Sequence, residues 1–326
     1  MRLLTFLAFL LAPITAAAAC DGQDLRPLLS DDARAELQRA VADIPFPEGN
    51  HWIARKDDTV LHIIGTLHTY DERMEKVVER LSPDLSKADA FYFEVTQTDM
   101  DAFEKNLANN LSAIMITSGP TLIDLMGDED WAAFSTALNQ RGIPGWMAAK
   151  MRPWFLTMML SIPPCMMEDP NGTYGMDARL NDLAAENGIP QYSLERIDDL
   201  IAMFDSHPLE QQVESLVRLS GAMMGSNDQL ATMANGYLEE KHAEIIQFAR
   251  LQGFEESGLS RDVFDEEWNG FEQQMLVQRN ALWMEHILAI TDQTAVIAVG
   301  AGHLSDDHGL LNQLEQAGYS LTRAAF

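Results

Sequence analysis

Two stretches near opposite ends of this chain share one pattern: a continuous apolar run, a glycine, two residues, then a histidine. The first is Val60-Leu61-His62-Ile63-Ile64-Gly65-Thr66-Leu67-His68, and the second is Ala295-Val296-Ile297-Ala298-Val299-Gly300-Ala301-Gly302-His303. A short unbroken apolar run is the mark of a strand covered on both faces, as in a parallel sheet. Such sheets place their sites in the crevice beyond the carboxyl ends of the strands. Both runs thus aim an imidazole at that region, and a fold that serves both must bring residues 68 and 303 together. With 20 glycines and 8 histidines in 326 residues, about half a Gly-x-x-His match arises by chance, so the weight lies on the strand-like runs before each match.

The rest of the chain supplies the partners for these strands. His51 to Arg55, then Lys56-Asp57-Asp58, reads as a hairpin feeding the first run. Asp71-Glu72-Arg73 opens a helix carrying Val77, Val78 and Leu81. Ala90-Phe91-Tyr92-Phe93-Glu94-Val95 reads as a strand holding a carboxylate, and Gln191-Tyr192-Ser193-Leu194-Glu195 as another with a carboxylate at its exit. Residues of about 100–187 and about 198–290 read as helical, and one helix after Asp177 is stopped by Asn187-Gly188 and Pro190. Leu310, Leu311 and Leu314 mark a last helix, and Tyr319 to Thr322 a final strand. The order predicts an α/β fold: a central mixed, largely parallel sheet with two large helical insertions, in one domain over residues 20–326.

Residues 1–19 carry one arginine, an apolar stretch and a small-residue end, and read as a secretory signal peptide cleaved before Cys20. The mature protein is then periplasmic or secreted, and no later segment is apolar enough to span a bilayer. The two cysteines, Cys20 and Cys165, are expected to form a disulfide in an oxidising compartment. A lipid anchor on Cys20 is the rival expectation, and the two exclude each other. The formal charge of −28 argues against nucleic acid and anionic membrane surfaces as partners.

Four strand-like runs end in or beside a titratable group: His68, Glu94, Glu195 and His303. Two imidazoles and a carboxylate make a common open set for a divalent metal, and a further carboxylate can act as base. Each candidate has an ordinary reading as well. Glu94 lies on the Tyr92 face by strand alternation and could face solvent; Glu195 could pair with Arg196 at the surface; Asp177 could be a helix N-cap. Arg279 falls on a stripe with Trp268, Phe271, Met275, Leu282 and His286. A guanidinium on an apolar face needs a carboxylate or an anionic ligand, unless its stem packs and its head reaches water. Histidines 51, 62, 207, 242, 286 and 308 show no paired strand-end spacing and are assigned to structure or surface. No nucleophile elbow, phosphate-binding glycine loop or His-Glu-x-x-His helix is present.

Gly65-Thr66-Leu67-His68, Glu94 in its strand, Arg279-Asn280 on a late helix and Val299-Gly300-Ala301-Gly302-His303-Leu304 together resemble the TraB/GumN family. The resemblance runs from about residue 50 to the C-terminus. Animal relatives of that family, the TIKI proteins, are metal-dependent proteases that trim the N-terminus of Wnt. The wider superfamily includes erythromycin esterases and a haem-binding iron-uptake lipoprotein. The resemblance implies His68, Glu94 and His303 as metal ligands, with Arg279 as polar support. It implies manganese or cobalt as the metal, with zinc compatible with the ligand types. Glu195 or Asp177 would then act as base or support. The expected function is a secreted metal-dependent hydrolase, a peptidase acting on a peptide or small-molecule substrate. The alternatives are a non-enzymatic haem or metal binder using the same crevice, and an esterase-like hydrolase that works without metal.

Overall fold

The structure is a computed structural model and describes residues 20, 22–163, 165–166, 174–221 and 226–326. The expected signal peptide, residues 1–19, lies outside the described residues. Six strands form one mixed sheet: β1 (His51–Lys56), β2 (Thr59–Thr66), β3 (Ala90–Phe93), β4 (Gln191–Ser193), β5 (Thr294–Gly300) and β6 (Ser320–Arg323), in the order β4-β3-β5-β2-β1-β6. The neighbours β4, β3, β5 and β2 are mutually parallel, while β1 runs antiparallel to both β2 and β6. β1 and β2 form the expected hairpin, and Asp57 takes the left-handed turn position at φ 51°, a conformation that Asp tolerates better than most side chains.

The apolar runs are continuous because both faces of β2 and β5 are covered. Ile64 of β2 and Val296 and Ala298 of β5 enter one core with the helices Met74–Leu85 and Met176–Glu186. Leu61 and Ile63, with Ala295, Ile297 and Val299, enter the opposite core with the helices Gln278–Leu288 and Leu310–Gln316. A third cluster, from Ile116 to Val217, draws on both predicted helical insertions and includes no residue of the six strands; most of its residues are helical, with Ile116, Ile143 and Met151 in connecting segments.

The connections position the crevice. The chain passes from β2 to β3 to β4 through helices on one face, stepping outward. It returns to β5, between β3 and β2, through the helix Gln278–Leu288 on the other face. Neighbours β2 and β5 therefore hand their chains to opposite faces, which opens a gap at their carboxyl ends.

Two sequence expectations need correction. β3 ends at Phe93, so Glu94 is the first residue beyond the strand rather than within it. The stripe on which Arg279 was placed is not the buried face: Phe271 and Leu282 are each 54% exposed, and His286 is exposed. The buried face of that helix is Arg279, Asn280, Trp283, Met284 and Ile287. Within the regular helix after Arg279 the buried row runs through Trp283 and Ile287, and Leu282 and His286 stand on the neighbouring row. The π-helical turn at Gln273–Val277 in addition shifts the phase of Trp268 and Phe271 relative to Arg279.

The expected Cys20–Cys165 disulfide is present and uses the thiol that a lipid anchor would need. Among the described residues no helix is long and apolar enough to cross a membrane.

Candidate functional site

The four parallel strands set the order of the site along the sheet edge. Glu195 follows β4, Glu94 follows β3, His303 follows β5 and His68 follows β2. β2 and β5 run in register, Gly65 beside Val299 and Thr66 beside Gly300, so the two Gly-x-x-His segments leave the sheet side by side. An ideal Cβ on Gly300 would lie 3.2 Å from Glu94 Oε1, 3.6 Å from His303 Cδ2 and 4.0 Å from His68 Nε2. Gly300 is thus the floor on which the three groups meet, and any side chain there would fill the space between them.

Arg279 is the hub. Its Nη2 donates to Glu94 Oε2 at 2.6 Å and to Glu195 Oε1 at 2.5 Å, and its Nε donates to Glu195 Oε1 and Oε2, both at 3.1 Å. Its guanidinium carbon stands 4.7 Å from the centre of the Trp283 ring, one helical turn on. Arg279 therefore pairs with carboxylates rather than reaching water, and Glu195 pairs with Arg279 rather than with Arg196. Arg196 meets Asp198 and Asp199 instead.

Hydrogen bonds assign the imidazole tautomers. Asn280 Nδ2 donates to the carbonyls of His303 and His308 at 3.3 and 2.9 Å, so its Oδ1 must face the His303 ring. His303 Nδ1–H donates to that oxygen at 2.6 Å, which leaves Nε2 as a lone-pair acceptor. Nε2 accepts from Arg279 Nη1 at 3.2 Å. Burial, joined by the nearby Arg279 and His68, holds His303 down to about 3, so its ring is neutral at physiological pH.

At the other end, His68 Nδ1–H donates to Asp177 Oδ2 at 2.7 Å, and Thr66 donates its hydroxyl to Asp177 Oδ1 at 2.5 Å. The Asp177 carboxylate raises His68 to about 10. The His68 side chain is nonetheless 67% exposed, so solvent screening reduces what the pair is worth to stability. Asp177 sits in the first turn of its helix and does not cap it: the N-cap is Gly175, with no side-chain bond.

The two carboxylates are pushed in opposite directions. Burial raises Glu94, but His303, Arg279, His68 and the Gly300 N–H outweigh it and leave it at about 2. That N–H donates to Glu94 Oε1 at 2.7 Å. Burial also raises Glu195, and Arg279 offsets only part of the rise. Carboxylates driven apart in this way are suited to different proton roles.

All six candidate residues fall in this one network. The sequence reading missed the tautomer role of Asn280, the support of Trp283 beneath Arg279, the floor at Gly300 and the Thr66 hydroxyl. Trp283 lies four residues after Arg279, a helical spacing that could have flagged it.

The site also bears on metal. Both imidazoles commit Nδ1 to a partner, which directs Nε2 toward the Gly300 floor or beside it, where Glu94 Oε1 also lies. That is the outer support metal-binding histidines use, and the donor types fit a divalent ion. In the present arrangement no three His, Cys, Asp or Glu side chains among the described residues surround an ion position. The positive charge between Glu94 and Glu195 is the guanidinium of Arg279.

No curated protein and no solved structure matches the chain. A family model does match, over residues 50–323, from the first sheet strand to the last. The chain belongs to the TraB/PrgY/gumN family.

Proposed function

We propose that the protein is a hydrolase acting outside the cytoplasm on a peptide bond or a related carbonyl, with a divalent metal held by His68, Glu94 and His303. The observation that carries this reading is the meeting of those three side chains over Gly300, with each imidazole tied at Nδ1. Manganese, cobalt and zinc all suit the donor types. When bound, such an ion supplies Lewis-acid polarisation of a carbonyl and a lowered pKa for water.

The chain's own residues supply the rest. His303 at about 3 is too weak a base to drive proton transfer near neutral pH but already has the unprotonated nitrogen a ligand needs, whereas His68, raised to about 10 by Asp177, would have to give up its Nε2 proton to bind an ion. Glu195, raised by burial, is the carboxylate fitted to take a proton at Oε1 or Oε2 and return it. Arg279 fixes both carboxylates, with its three nitrogens donating to Glu94, Glu195, His303 and the Met275 carbonyl. Asp177 orients His68. The Cys20–Cys165 disulfide supports an oxidising location.

One observation favours a second reading, hydrolysis without metal. Arg279 Nη1 occupies the lone pair of His303 Nε2, so the cation of the site is already part of the chain. Metal analysis of purified protein, paired with peptide and ester cleavage before and after chelation, separates the two. Cleavage that stops on chelation and returns with manganese, cobalt or zinc supports the metal reading. Cleavage indifferent to chelation supports the second.

A further inference from the structure

The segment after β2 and the start of the helix Met176–Glu186 are laid against each other with a constant offset. Met176 N–H donates to the Leu67 carbonyl, His68 pairs with Asp177, and Tyr70 faces Arg179. An ideal Cβ on Gly175 would sit 2.2 Å from the Leu67 carbonyl oxygen and 2.4 Å from the His68 carbonyl carbon, so the two segments touch through backbone. Arg179, two residues past Asp177, thereby stands against Tyr70, two residues past His68.

Its surroundings are unusual for a cation. The Arg179 side chain is 10% exposed. The Tyr70 and Tyr174 rings stand 5.5 and 5.1 Å from its guanidinium carbon. Among the described residues Nε has no hydrogen-bond partner, and the ion contact of the side chain is Nη1 to Glu75 Oε1 at 3.8 Å. Two other carboxylates among the described residues nearby are committed. Asp71 takes Arg73 at Nε and Nη2, and Asp182 accepts the Tyr174 hydroxyl. Beside Tyr70, the buried Thr69 hydroxyl also has no partner among the described residues. A buried guanidinium nitrogen without a hydrogen bond is costly unless something completes it.

We infer that Arg179 is a specificity-determining residue that receives a carboxylate of the substrate, and that Glu75 holds its place in the empty protein. This rests on the proposed hydrolytic site only for the word substrate. A planar guanidinium between two rings offers its edge to a planar, two-oxygen partner, which a carboxylate matches. A dianionic phosphate would meet more repulsion from Asp71, Glu75 and Asp182. Glu75 is 60% exposed and loosely paired, so an incoming carboxylate displaces it at small cost.

The test is calorimetric titration of full-length protein with tetra-alanine, its C-terminal amide and inorganic phosphate. The free peptide should bind at least tenfold tighter than the amide or phosphate. Arg179→Gln should erase that preference, Arg179→Lys should restore part of it, and Glu75→Gln should tighten the free peptide several-fold. Equal binding of peptide and amide, phosphate equal to the peptide, no peptide binding, or an Arg179→Gln protein that melts normally and keeps the preference would each overturn the inference. His303→Ala protein should keep the preference while losing cleavage, which separates this claim from the hydrolytic one.

Discussion

At the residue scale, the site is a set of charges that stabilise one another, and removing any one leaves the others unpaired. Arg279 is 6% exposed between two carboxylates. Arg279→Met should destabilise the protein by about 3–5 kcal/mol at neutral pH, read by urea unfolding. The loss should shrink when Glu195→Gln is added, because one of the two stranded charges is gone. Asn280→Ala should cost about 1–3 kcal/mol, since two carbonyls and the His303 Nδ1–H lose their partner in a buried place. It should also cut cleavage by about 10–100-fold. Much of this site was legible in the sequence, because strand ends announce themselves: an apolar run that stops at a polar group is readable without a structure. Asn280 entered the sequence reading only as part of the Arg279-Asn280 pair in the resemblance; its role was not legible, since a buried amide looks like any helix residue until its carbonyl partners from the 303–308 loop are known.

At the element scale, the buried strands were the most legible part and the late helix the least. Burial on both faces writes β2 and β5 into the sequence as unbroken apolar runs. The π-helical turn at Gln273–Val277 leaves no comparable trace, and beyond it three- and four-residue steps from Arg279 fit the exposed Leu282–His286 row as well as the buried Trp283–Ile287 row. The stripe found Arg279 for the wrong reason. The hairpin has a proton chain of its own. His51 Nδ1–H donates to the Ala325 carbonyl at 2.8 Å, and His51 Nε2 accepts from His62 Nδ1–H at 3.1 Å, which links the hairpin to the end of the chain. Burial holds His62 at about 4, and it holds His242 at about 4 where that ring meets Asn50 and Phe46. A histidine depressed in the folded state takes its proton first in the unfolded chain. The contribution of these two rings should therefore be level above about pH 6.5 and fall as the pH drops toward 4, by about 3 kcal/mol for each ring, while the raised His68 adds a smaller, solvent-screened loss in the opposite direction as the pH climbs from about 6.5 toward 10. Chemical denaturation across that pH range reads it. His62→Gln should flatten part of the slope.

At the scale of the whole molecule, the sheet brings residues from both ends of the chain to one edge, and the disulfide ties residue 20 to residue 165 across 145 positions. Reduction should lower stability by about 2–5 kcal/mol, read as a drop in melting temperature under reductant. The gathering of His68, Glu94 and His303 at that edge is the claim on which the functional account stands. The most direct measurement is the peptide-cleavage rate of protein loaded with manganese, cobalt or zinc, set against a His303→Ala protein of matched circular dichroism. The account predicts metal-stimulated cleavage in the first and a loss of at least about a thousandfold in the second. Equal rates from the two proteins would contradict it.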